Sequence, residues 1–236
     1  MKQISTLVIV ALALTFTACN NQPKTADTSS STSTSVKKTV VSLPPYQAML
    51  VQHKVADFDK WVTSFKSSAE IVKAAGLSGA AVGRGLDNDK FVLVFTTASD
   101  LQKAKDFSNS KGLKEAMAKS GVTDTPAISF WNVSFDDTST IPQQERLMVT
   151  HHVKDFDTWK KAFDTEGDSV RAANGLVERL LARSSDEPNT VTILFAITDM
   201  AKAKARATSV DLQKVMTDAG VDGPPTLTWF KWVPLN

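Results

Sequence analysis

One cysteine, Cys19, stands in 236 residues, so no disulfide can form within the chain and no cluster of thiolates can hold a metal. Net charge is nearly absent too. The 27 basic side chains meet 25 acidic ones and leave a formal +2. Without a basic excess there is no electrostatic footprint for nucleic acid, and no nucleic-acid partner is expected. Both signs are scattered along the chain, as on an ordinary solvated surface. Motifs with built-in chemistry are missing as well: no Walker loop, no nucleophile elbow, no helix with paired histidines for zinc. The run from Gly79 to Gly85 is glycine-rich, but it lacks the spacing of a phosphate turn and falls where a strand is needed. The apolar run Ile4–Phe16 is shorter than the roughly 20 residues that span a bilayer.

That run follows Met1-Lys2 and precedes the small residues Thr17-Ala18, which reads as a secretory signal peptide over residues 1–18. Cys19 directly after it resembles the lipobox of bacterial lipoproteins, whose cysteine is lipidated and becomes the mature N-terminus. The plainer alternative is an ordinary cleaved signal with an incidental cysteine. Asn20 replaces the aspartate that retains many lipoproteins at an inner membrane, so the resemblance implies an outer-membrane, cell-envelope location. Residues 19–45 then read as a tether. From Asn20 to about Ser42 they are rich in Ser, Thr and Lys, and they hold too little apolar surface to offset the entropy of ordering.

What is abundant is repetition. His53-Lys-Val-Ala-Asp57-Phe-Asp-Lys-Trp61 recurs 98 residues on as His151-His-Val-Lys-Asp155-Phe-Asp-Thr-Trp159. Arg84 then matches Arg183, and Leu113, Met117 and Pro126 match Leu212, Met216 and Pro225. The pattern defines a first repeat over 46–135, a polar linker over 136–144 and a second repeat over 145–236. In each copy the periodicities spell strand, helix, strand, strand, helix, strand. Asp57 is a candidate N-cap, Phe58, Trp61, Val62 and Phe65 form an apolar helical stripe, and Gly76 ends the helix. The second helical region, about Ser99–Ser120, is expected to break near Ser108–Lys111. The order is that of the ferredoxin-like βαββαβ unit, an α+β fold. Its strands are apolar on both faces, so the sheet face without helices needs a partner, and the second copy is the simplest one.

On the strand order and the His-x-Val-x-Asp-Phe-Asp-x-x-Trp pattern, the chain resembles the dimeric α+β barrel superfamily. That group includes antibiotic-biosynthesis-monooxygenase-like and stress-responsive barrel proteins. The resemblance implies two ferredoxin-like units packed sheet to sheet within one chain, a monomer acting as a pseudo-dimer. It carries no catalytic residue over, because no motif here aligns residue by residue with the active sites of that group.

Candidate site residues are therefore those that recur. His53 and His151 converge in the barrel as acid–base groups or metal ligands on one reading. On the other they are half-buried strand residues bonded to a neighbour. Arg84 and Arg183 could bind a ligand carboxylate, or form salt bridges on the strand. Asp57, Asp59, Asp155 and Asp157 suit helix capping better than acid–base catalysis. Trp61 and Trp159 fit the core; of Trp131, Trp229, Phe230 and Trp232, some pack under helices while others could line a cavity. Neither a metal nor a cofactor is expected. The function these features suggest is a lipid-anchored envelope protein that binds a small molecule or protein partner without catalysis. The alternative is a cofactor-independent monooxygenase- or isomerase/cyclase-like enzyme.

Overall fold

A computed structural model describes residues 41–235; the expected signal peptide, Cys19 and most of the expected tether lie outside the described residues. The first repeat contributes β1 (Tyr46–Lys54), α1 (Phe58–Ser67), α2 (Ala69–Ala74), β2 (Leu77–Gly85), β3 (Phe91–Ala98), α3 (Leu101–Asn109), α4 (Lys111–Lys119) and β4 (Ala127–Asp136). The second contributes β5 (Glu145–Val153), α5 (Phe156–Ala173), β6 (Leu176–Ser184), β7 (Thr190–Ile197), α6 (Met200–Ala207), α7 (Val210–Asp218) and β8 (Val221–Val233).

Local chemistry sets the helix ends. The Asp57 and Asp155 carboxylates accept from the backbone N–H groups of Lys60 and Thr158, at 3.0 and 2.8 Å. Asp100 and Asp199 cap α3 and α6 in the same way, each at 3.0 Å. The second helical region breaks at Ser110, as expected, because its hydroxyl caps a new helix by accepting from Leu113 N–H at 3.1 Å. The first helical region also breaks, which periodicity did not predict. Ser68 separates α1 from α2, and Gly167, at φ 74°, kinks α5 at the matching place. Gly76 and Gly175, both at φ 74°, turn the chain out of the helices in the left-handed region that only glycine enters freely.

All eight strands close into one antiparallel barrel in the order β1-β3-β2-β8-β5-β7-β6-β4. Each repeat keeps the ferredoxin-like order, and the copies join at two seams. Val82–Gly85 of β2 pair with Phe230–Val233 of β8, and Trp131–Asp136 of β4 pair with Leu180–Ser184 of β6. Phe135 and Asp136, at the end of β4, reach Leu181 and Leu180 of the other repeat.

Alternation then sorts every strand between two environments. Met49, Val51 and Val55 turn outward under the helices, against Phe58 and Trp61. Ala48 and Leu50 turn inward, with Leu93, Trp131 and Val133. The second repeat divides likewise, Leu147 and Val153 outward against Trp159 of α5, and Met148, Leu180 and Phe230 inward. Trp61 and Trp159 are core residues, each 3% exposed.

The glycine-rich run is strand, and Gly83 shows why one glycine belongs there. A Cβ at that position would stand 2.4 Å from the ring of Phe230, which is itself wholly buried. Gly83→Ala is expected to cost about 1–3 kcal/mol through overpacking at this seam. A urea midpoint unchanged from wild type would show that the ring moves aside freely.

Candidate functional site: the barrel lumen

Inward side chains do not fill the barrel. They leave a cavity of about 400 Å³. At the roughly 30 Å³ of a liquid water, that is room for about a dozen water molecules, within the range of small-ligand sites. Its walls are apolar and aromatic, including Leu50, Leu93, Phe95, Met148, Leu194 and Trp232. Trp131, Phe230 and Trp232 are thus the aromatics that face a cavity, whereas Trp229 packs under the helices.

A polar cluster interrupts these walls: Tyr46, Asp136, Asp137, Arg146 and Arg179. Tyr46 Oη donates to Asp136 Oδ2 at 2.6 Å. Burial, with the Asp136 bond and charge adding to it, holds the phenol well above its ordinary pKa. Arg179 Nη1 donates to Asp137 Oδ2 at 2.7 Å, an ion pair whose side chains are 8% and 2% exposed. Arg179 is the extra residue of a β-bulge: Glu178 pairs with Phe195 and Leu180 with Leu194, leaving nothing opposite it. A bulge re-aims a side chain. Here Glu178 bonds Arg171 beneath the helices, while Arg179 and Leu180 both border the lumen. The linker completes the cluster, since Ser139 accepts from Arg179 through its hydroxyl and its carbonyl, and Gln143 O accepts from Arg146 Nη1 at 2.7 Å. Burial, and then the charge of Arg179, lower the Arg146 pKa to about 10, so it stays cationic at neutral pH.

None of the four recurring candidates borders this cavity. His53 and His151 sit on the outward faces of β1 and β5, in two separate cavities of about 80 and 100 Å³ under the helices. They therefore do not meet across the barrel. His53 packs on Trp61 with ring centroids 5.4 Å apart, and His151 on Trp159 at 5.3 Å. Neither ring nitrogen of His151 has a hydrogen-bond partner, and His53 Nδ1 has none. Burial pushes His151 down to about 4; it lowers His53 too, against a backbone bond at Lys54 and the charge of Asp124. Arg84 and Arg183 brace structure. Arg84 lies over the Phe58 ring at 4.4 Å and donates to Asp89 O at 2.8 Å, while Arg183 lies over Phe156 at 3.9 Å and donates to Pro188 O at 2.8 Å. Each ties a hairpin turn to the start of a helix.

Arg146 and Arg179 are not legible from the repeat, because neither recurs in the other copy. The repeat places Ala48 opposite Arg146 and Ala80 opposite Arg179. The available signal was a bulky cation in one copy where the other has alanine.

No protein-family model matches the chain, and no curated protein does. Solved structures match at the level of the fold. An anthrone oxidase-like protein aligns at TM-score 0.57 and 14% identity, over 80% of this chain and 92% of its own. A candidate monooxygenase from Lactobacillus acidophilus aligns at 0.53 and 12%, over 80% and 94%. The chain adopts the dimeric α+β barrel fold. A heme-binding protein from Thermus thermophilus shares the barrel at TM-score 0.51 and 10% identity, over 83% of this chain and 94% of its own. The residues of this α+β barrel do not fit a haem held by histidine. His53 and His151 face cavities with space for about three waters each, and the remaining histidine, His152, is half-exposed beside Asp222 at 3.9 Å. Among the described residues no cluster of three or more His, Cys, Asp or Glu could hold a metal ion.

Proposed function

We propose that this protein is a lipid-anchored envelope protein whose barrel lumen binds a small, largely apolar organic molecule without transforming it. The observation that carries this reading is the cavity of about 400 Å³ with aromatic and aliphatic walls and one polar cluster. Such a site can remove an apolar body from water and orient it by a few polar contacts. Its candidate bases are already engaged. Among the described residues no histidine or cysteine borders the cavity, Tyr46 resists ionisation, Asp136 accepts from the Tyr46 hydroxyl, and Asp137 pairs with Arg179.

Filling the lumen tests the reading. Leu194 borders the cavity and is only partly buried, so Leu194→Trp would take up ligand space with little strain. Apolar compounds that raise the melting temperature of wild type are expected to lose that effect in Leu194→Trp. Equal shifts in both proteins would place binding elsewhere. The anchor has its own test: Cys19→Ser is expected to move the protein from the membrane fraction to the soluble one. Continued sedimentation with membranes would rule out lipidation as the tie.

The second reading, a cofactor-independent oxygenase, draws support from barrels described as a candidate monooxygenase and an anthrone oxidase-like protein. Oxygen uptake on adding an anthrone to air-saturated protein would favour it. No uptake above the buffer rate is expected.

A further inference from the structure

Resting on the reading of the lumen as a small-molecule site, we propose that the ligand carries a single carboxylate and that Arg146 receives it. Arg146 is 6% exposed and borders the cavity. Its Nη1 is occupied, donating to Gln143 O at 2.7 Å and Glu145 O at 2.9 Å. Among the described residues, its Nε and Nη2 donate to nothing and its guanidinium pairs with no carboxylate. The acids beside it are engaged, Asp137 by Arg179 at 2.7 Å and Asp136 by the Tyr46 hydroxyl at 2.6 Å.

Nε–H and Nη2–H lie side by side on the guanidinium plane. They form the fork that meets both oxygens of one carboxylate. A largely buried cation held only by carbonyl dipoles has no counter-ion, and an incoming anion supplies it. Two observations narrow the anion. Asp136 and Asp137 share the cluster, so the second charge of a phosphate monoester would be repelled. Ala48 stands where a second Arg146 would be, so the lumen offers one fork and suits a monoacid with an apolar body.

The experiment is calorimetric titration of the full chain with 2-naphthoate and 2-naphthamide, and with decanoate and decanamide. It is run on wild type, Arg146→Gln, Arg146→Lys and Leu194→Trp. In wild type the acids are expected to bind about tenfold or more tighter than their amides, the scale of a charged hydrogen bond. Arg146→Gln is expected to erase that preference by weakening the acid far more than the amide; Arg146→Lys, with charge but no fork, keeps part of it. Leu194→Trp is expected to weaken acid and amide together. Equal binding of acid and amide in wild type, or a preference that survives Arg146→Gln, overturns the carboxylate while leaving the lumen site standing. Failure of all four compounds to bind wild type overturns both readings. Should Arg146→Gln fail to fold, Arg146→Lys decides: an acid-to-amide ratio equal to wild type overturns the proposal.

Discussion

Asp137→Asn is expected to lower folding stability by about 3–5 kcal/mol, the loss typical of breaking a buried ion pair from one side. The Asp137 side chain is 2% exposed and that of Arg179 is 8% exposed, so water can replace little of what is lost. The substitution preserves shape and removes charge. It takes away the one carboxylate that pairs with Arg179 among the described residues, with the cation of Arg146 close by. Urea unfolding checks this: the midpoint should fall with the slope unchanged, since the surface exposed on unfolding is the same. The Lys105–Asp186 pair provides the contrast. Its side chains are 31% and 53% exposed, and Asp186→Asn should cost under about 1 kcal/mol. A similar small loss at Asp137 would mean that the cluster is hydrated and the lumen far wetter than its walls suggest.

Acid should destabilise the protein through His151. Its pKa is about 4 in the folded state, set by burial, against 6.5 unfolded. Between these values the unfolded chain binds a proton that the folded one refuses, so stability falls as pH drops from about 6.5 towards 4 and then levels off. The whole window is worth about 3 kcal/mol. His151→Leu removes the titrating group and keeps an apolar contact for Trp159. The loss between pH 7 and pH 4, from urea unfolding at each pH, should be smaller in the variant by that amount. Glu178 works in the opposite sense. Burial raises it to about 7, so the stability it contributes is present below its unfolded pKa and declines as pH rises from about 4.5 to 7. Comparing each protein with itself across pH leaves that contribution common to both. Equal acid losses would mean that His151 is protonated in the folded state.

The fold was legible because its signals are local. Asp57 and Asp155 cap helices, Trp61 and Trp159 fall on apolar stripes, and strands apolar on both faces announced a second buried side. Barrel closure followed from two such sheets in one chain. Local pattern could not say which way His53 faces, since alternation gives two faces without naming them. Trp61, packed against its ring at a tilt, settles that it points beneath the helices. The break at Ser68 escaped notice because the apolar stripe runs on past it. The polar cluster was harder still. Its members come from β1, β4, β5, β6 and the linker, so only tertiary structure assembles it, and Arg179 depends on a bulge that no propensity marks.

The two seams have a consequence for how such a lumen can change over generations. In a barrel built from two identical chains, every inward substitution is made twice, and the interior keeps a twofold axis. A single arginine could not be introduced without its twofold-related copy, and the pair would repel across the cavity. Joining the halves through the eight residues between β4 and β5, 137–144, lifts that constraint, and the halves meet at the millimolar effective concentration of a short tether. One copy could then hold alanine at 48 while the other acquired arginine at 146. The interior gained a direction, and anything bound within it has a head and a tail.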